Sequence, residues 1–70
     1  MIDFGNLSRT ELENLIDERI VGRYAERNRK ILKRRLIDGI LLEPLAEEFD
    51  LSVKQIYNII YKGLNMLLYK

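Results

Sequence analysis

The sequence contains no cysteine and no histidine, and it has only one proline and four glycines. Without cysteine there can be no disulfide framework and no thiolate zinc site. Without histidine the chain lacks the commonest metal ligand and the usual general base. No apolar run approaches the ~20 residues that a membrane-spanning helix needs. The N-terminal MIDFGNLSR has neither the basic start nor the apolar stretch of a signal peptide. We therefore expect a cytoplasmic protein that needs no cofactor.

With one proline and four glycines, the chain has long uninterrupted segments. Of its 70 residues, 47% are hydrophobic and 33% are charged. These values are typical of one small helical domain, residues 1–70. The core of such a domain is small, and oligomerisation is a common way to stabilise it.

The net charge of +1 hides an uneven distribution of charge along the chain. Residues 19–35, the basic block, carry eight basic residues and one acid, whereas residues 36–50 carry five acids and no base. A block of this kind is either a surface for phosphates or a set of ion pairs inside the fold.

The segment 43–60 has the spacing of two helices joined by a tight turn. Apolar residues recur at helical intervals on both sides of the turn, namely at Leu45, Ala46, Phe49, Val53, Ile56, Ile59 and Ile60. Ser52 and Gln55 form a Ser-x-x-Gln capping box, which predicts that the second helix begins at Val53. We predict an all-α, four-helix domain with a C-terminal helix-turn-helix and helices over about 9–21, 25–38, 42–49 and 53–68.

Local signals delimit the two helices before this unit. Ser8 or Thr10 can cap the first helix, since each has a glutamate three residues on, and Gly22 is expected to end it. Gly39 is expected to end the second helix. The apolar positions Leu64, Leu67 and Leu68 continue the last helix, and they either pack on the first helix or form a dimer contact.

Residues 27 to 67 resemble the fourth conserved region of bacterial sigma factors. The resemblance rests on a basic-apolar helix ending near Asp-Gly, the two-helix unit and a following Lys-Gly step, matched by Ile31, Leu32, Leu36, Asp38, Gly39, Lys62, Gly63 and Leu64. It implies a DNA-binding helix-turn-helix and transcription regulation by a free-standing module, of the kind that occurs in phages and mobile elements. Leu41 departs from the family, which usually places a capping Ser or Thr there, and the last helix has no Arg, so no base preference carries over.

The recognition helix of a helix-turn-helix brings its N-terminal residues to base edges in the major groove. The candidates for base contact are Ser52, Lys54, Gln55, Tyr57 and Asn58. Lysine can donate to guanine, and the amides can pair with adenine. The candidates for phosphate contact are Arg27, Lys30, Lys33, Arg34, Tyr61 and Lys62. The alternative is an ordinary solvated surface, with the tyrosines at the edge of the core and Gln55 used in the cap. Within the basic block we expect both uses, with Arg35 and Arg19 inside the fold and Arg27, Lys30, Lys33 and Arg34 more exposed.

Three hypotheses about function follow. The first is a sequence-specific regulator that binds double-stranded DNA, either alone or as a homodimer. The second is a protein-interaction module on the same fold, which binds RNA polymerase, a sigma factor or a phage assembly partner. The third is an oligomeric scaffold that uses Leu64, Met66, Leu67 and Tyr69. The sequence has no nucleophile–base pair, no phosphate-cradling glycine loop and no metal-ligand spacing, so we do not expect an enzyme.

Overall fold

The computed structural model describes residues 7–68, so Tyr69 lies outside the described residues. These residues form an all-α domain of four helices, α1 (Arg9–Arg19), α2 (Ala25–Leu36), α3 (Leu42–Phe49) and α4 (Val53–Leu68). The predicted bounds of α3 and α4 are confirmed, whereas α1 and α2 each end two residues before the predicted position.

The start of α1 is fixed by Ser8. Its Oγ accepts a hydrogen bond from the Glu11 amide at 3.1 Å, and the Glu11 side chain accepts one from the Ser8 amide at 3.2 Å. The helix ends early because Ile20 adopts an extended conformation, which buries its side chain almost completely in the core. Gly22, at φ +114°, lies in the link to α2 and does not end α1 itself.

At the end of α2, the last regular helical hydrogen bond is followed by two bonds of longer span. The amides of Ile37 and Asp38 both donate to the carbonyl of Lys33. Gly39 then turns the chain at φ +72°, a left-handed conformation that glycine adopts without steric cost. The amide of Ile40 donates back to the Arg34 carbonyl at 3.1 Å, so the helix ends at Leu36 and the chain doubles back into α3.

The core is built around α4, which packs against each of the other three helices. Within residues 7–68, ten hydrophobic residues are buried, and every helix contributes to them: Leu12, Ile16, Ile20, Ile31, Leu32, Leu45, Ala46, Ile56, Ile60 and Leu67. Leu67 is fully buried, so the apolar tail of α4 packs within the monomer.

The closest approach of a glycine to a neighbouring helix is at Gly63 of α4. A Cβ atom at this position would lie 2.5 Å from Cδ1 of Leu32 and 3.1 Å from its Cγ. Since Leu32 is fully buried, little space is open for it to move. The small residue therefore sets the distance between α2 and α4.

Three arginines hold the helices together by donating to backbone carbonyls at chain reversals or helix ends. Arg19 donates to the Leu67 carbonyl at 2.6 Å, Arg29 to the Ile20 carbonyl at 2.8 Å and Arg35 to the Ile40 carbonyl at 3.1 Å. These bonds satisfy acceptors that lie outside the regular helical pattern. The expected structural roles of Arg35 and Arg19 are confirmed, and Arg29 joins them.

Candidate nucleic-acid interface

The helix pair α3–α4 is joined by a tight turn whose geometry fixes the start of α4. Asp50 adopts the left-handed conformation at φ 55° and ψ 46°, which Asp tolerates better than most residues. The amide of Leu51 donates to the Ala46 carbonyl at 2.9 Å, and that of Asp50 to the Glu47 carbonyl at 3.4 Å. This pair of bonds is a Schellman-type ending, so α3 stops cleanly after Phe49.

The predicted capping box at the start of α4 is confirmed. Ser52 Oγ accepts a hydrogen bond from the backbone N–H of Gln55 at 3.1 Å, and Gln55 Oε1 accepts one from the backbone N–H of Ser52 at 2.9 Å. Both side chains are exposed. The cap uses the side-chain oxygen of each residue as an acceptor. The hydroxyl proton of Ser52 and the side-chain NH₂ protons of Gln55 remain available as donors. The same two residues can therefore cap the helix and meet a ligand.

The exposed face of α4 carries the remaining candidates for base and phosphate contact. The side chains that are exposed there are Lys54, Tyr57, Asn58, Tyr61 and Lys62. The helix contains two lysines and no Asp or Glu. A long solvent-facing surface with cations, amides and hydroxyls but no carboxylate has the chemistry that phosphates and base edges require.

Tyr57 and Tyr61 are one helical turn apart and stack on each other. Their ring centroids are 6.3 Å apart, with an angle of 17° between the planes. Both rings are more than half exposed. The stacking restricts the orientation of both side chains, so their hydroxyls extend from an ordered pair of rings on the helix surface.

One residue of α4 departs from the predicted pattern. Val53 was expected on the core face with Ile56 and Ile60, but its side chain is 43% exposed. Val53 is the first residue of α4, so no preceding turn of the same helix covers it. Helical periodicity alone does not reveal this, because it takes no account of how much of each turn is covered.

The C-terminal half of the basic block is engaged with acids. Lys33 Nζ lies 2.8 Å from Asp17, and Arg34 Nη2 lies 2.8 Å from Glu48. Hydrogen bonds and the charge of Glu48 raise the pKa of Arg34 above its usual value. Lys30 forms a longer and more exposed pair with Glu26 at 3.8 Å. Lys30, Lys33 and Arg34 therefore reach a phosphate only by sharing or leaving an acidic partner.

The N-terminal half of the basic block is organised differently. Within residues 7–68, Arg23 and Arg27 have no carboxylate within ion-pair distance. The Arg27 guanidinium lies 4.7 Å from the ring centroid of Tyr24. Together with Glu26, Lys30 and Phe49 these residues line an open groove of about 400 Å³, in which three basic side chains accompany one carboxylate. Because Phe49 is the last residue of α3, this basic groove lies beside the turn that leads into α4.

Another groove of about 400 Å³ lies where α2, α3 and α4 meet. It is mainly apolar and is lined by Arg35, Leu36, Leu42, Tyr57, Ile60, Tyr61 and Leu64. Of the candidates for a dimer contact, Leu64 and Leu68 are half-buried and Leu67 is fully buried. A contact between copies through this region would therefore use Leu64 and Leu68.

Charge patterns in the sequence did not separate the two halves of the basic block. Arg23 precedes Arg27 by four residues, a spacing that would place both on one helix face, but α2 begins only at Ala25. Arg23 reaches the same groove from the preceding link. No signal in the sequence identifies Asp17 as the partner of Lys33, since that pair forms only when α1 and α2 pack.

No helix within residues 7–68 combines the length and the apolar character needed to cross a membrane. No family model matches the chain, and no curated protein or solved structure matches it significantly.

Proposed function

We propose that this chain is a sequence-specific, double-stranded DNA-binding protein that regulates transcription, with residues 53–62 of α4 in the major groove. One observation carries the proposal. A capped helix follows a tight turn, and its exposed face presents lysines, amides and tyrosines without a single carboxylate. Such a helix can enter a groove lined by phosphates without charge repulsion.

The proposed base contacts come from the first two turns of α4. Lys54 can donate to guanine O6 and N7, and the Asn58 amide can pair with adenine. Ser52 and the amide protons of Gln55 supply further donors at the helix start, while Tyr57 follows one turn later. A well-formed bidentate contact discriminates between bases by about 1–3 kcal/mol.

The proposed phosphate contacts lie on both sides of these residues. Tyr61 and Lys62 extend the exposed face of α4, and Arg27 lies in the basic groove beside the turn. Lys30, Lys33 and Arg34 complete the set once phosphates compete with Glu26, Asp17 and Glu48. Contacts of this kind fix the register of a protein on the duplex.

The biological role proposed for this chain comes from its resemblance to the fourth conserved region of sigma factors. A free-standing regulator of this kind, from a phage or a mobile element, would act in the cytoplasm. Many helix-turn-helix regulators bind two half-sites as dimers about one DNA turn apart. Leu64 and Leu68 are the residues through which two copies of this chain would meet.

The test is a fluorescence-anisotropy titration of a labelled random-sequence duplex at two salt concentrations. The wild type should bind, and log K should fall against log salt by about 0.9 for each phosphate neutralised. A Lys54→Ala, Asn58→Ala double variant should lose most of the affinity. Arg9→Ala is the control for the loss of one positive charge from an exposed position away from α4, on α1, where Arg9 pairs with Glu13 and Asp38. Absence of binding at low salt, or affinity that does not depend on salt, would refute the proposal.

A protein-interaction module is the second candidate, and the apolar groove beside Tyr57 and Tyr61 favours it. That groove offers aromatic and leucine side chains to a partner such as RNA polymerase. The two functions separate by mutation. Loss of partner binding in Leu42→Ala, with the Lys54→Ala, Asn58→Ala variant unaffected, would support the module and not the regulator.

A further inference from the structure

The first residue of α4 presents part of an apolar side chain to solvent. Val53 is 43% exposed, whereas Ile56 and Ile60, on the same helix, are buried. The exposed part of Val53 is apolar surface that is open to a ligand. It also lies at the end of the helix that a major groove would meet first.

A second apolar surface continues from Val53 along the same side of the helix. Tyr57 lies four residues on, so its side chain is the neighbour of Val53 on the helix surface. Its ring is 56% exposed and is held by stacking on Tyr61. Val53 and Tyr57 thus form a short apolar edge, directly beside the polar edge formed by Lys54 and Asn58.

The chemistry of the major groove offers one apolar group, the 5-methyl of thymine. The adjacent amide of Asn58 suits the adenine that pairs with thymine. Cytosine presents an N4 donor, and the best side chains for that donor are carboxylates, which α4 does not contain. Apolar and amide groups side by side therefore match an A·T pair better than they match the cytosine of a G·C pair.

We infer that Val53 and Tyr57 read thymine 5-methyl groups, so that the base pairs facing these two side chains are A·T pairs, next to the base that Lys54 contacts. This inference rests on the proposed DNA binding and names the bases that the same site prefers. Lys54 supplies affinity next to this edge, and Val53 with Tyr57 supplies the preference for the methyl group.

The experiment compares two labelled duplexes that differ only in this methyl group. One has alternating A·T pairs and the other alternating A·U pairs in deoxyribose form, with the same G·C ends. Burial of a methyl group changes affinity by about three- to fourfold. We therefore expect the wild type to bind the A·U duplex at least threefold more weakly at low salt.

Variants assign the difference to the protein and not to the shape of the duplex. A Val53→Ala, Tyr57→Ala double variant should bind both duplexes with nearly equal affinity. Both side chains are exposed, and alanine favours a helix more than valine does, so circular dichroism should show an unchanged fold. Lys54→Ala should weaken binding to both duplexes and keep their ratio.

Three outcomes would overturn the inference, and they differ in whether the proposed DNA binding is also refuted. Equal and salt-sensitive binding of both duplexes by the wild type would refute methyl reading and leave DNA binding intact. A ratio that persists in the Val53→Ala, Tyr57→Ala variant would assign the difference to the duplex itself, with the same consequence. No binding of either duplex at low salt would refute the proposed function together with the inference.

Discussion

The helices α2 and α4 both carry positive charge on their exposed surfaces, but they use it in opposite ways. Most basic residues of α2 either pair with acids, as Lys33 does with Asp17, or donate to a carbonyl, as Arg29 and Arg35 do. The two lysines of α4 have no ion-pair partner within the described residues. The number of basic residues in a segment is therefore a poor measure of the charge that it can offer to a ligand.

The largest expected effect comes from the contact that holds the two helices against each other. Gly63→Val would place a branched side chain against the fully buried Leu32 and force α2 and α4 apart. Overpacking of this kind costs about 2–3 kcal/mol of unfolding free energy, which urea denaturation measures. Asn65→Val, on the exposed side of the same helix, is the matched control. Equal stability of the two variants would show that the contact is not close-packed.

The next effect tests the structural use of charge in α2. Arg29→Ala removes the donor to the Ile20 carbonyl, and loss of a charged hydrogen bond costs about 1.5–3 kcal/mol, at the lower end for a half-buried group. Thermal unfolding should show a clear decrease in Tm. Arg23→Ala serves as the control, because Arg23 is exposed and has no ion-pair partner among the described residues, so its loss should leave Tm almost unchanged. If both substitutions had the same effect, the role assigned to Arg29 would be wrong.

A third prediction compares one lysine from each helix in DNA binding. Lys54→Ala should weaken affinity for duplex DNA by about tenfold, within the range for a base contact. Lys33→Ala should change it by less than about threefold, because Asp17 already offsets much of the Lys33 charge. Anisotropy titrations at one salt concentration give both values. The reverse order would move the interface from α4 to α2.

The smallest expected effect is a gain of affinity. Asp17→Asn should release Lys33 from its 2.8 Å ion pair and strengthen DNA binding by about two- to threefold, since an exposed pair contributes less than about 1 kcal/mol. Glu18→Gln also removes one negative charge from an exposed position on α1, and it should have a smaller effect. The same gain in both variants would indicate a general effect of net charge and no specific release of Lys33.

Much of the fold could be predicted from the sequence because strong local signals determined it. Two capping boxes, at Ser8 and Ser52, fixed the starts of α1 and α4. The end of α1 depended instead on the burial of Ile20 in the core. This is a tertiary effect, so the position of Gly22 in the sequence could not predict it. Leu41 likewise precedes α3 without any side-chain cap, so that helix start relies on packing and on the turn before it.

The candidate site was less accessible to sequence reasoning, for two physical reasons. Ion pairs such as Lys33–Asp17 join residues of different helices, so they depend on how the helices pack and not on spacing along the chain. The exposure of Val53 depends on its place at the very start of α4, before a full helical turn has formed. The proposed base and phosphate contacts, from Ser52 to Lys62 and along α2, remain predictions until a titration tests them.

The bond between Arg19 and the Leu67 carbonyl joins residues 48 positions apart, and it has a consequence for synthesis on the ribosome. Leu67 fills the core beside residues of the earlier helices. When only α1, α2 and α3 have emerged from the ribosome, the nascent chain therefore still lacks the helix around which they pack. Contacts of such long range form late. We therefore expect the growing chain to stay uncompacted until the last turn of α4 has left the exit tunnel, and then to fold in a single step.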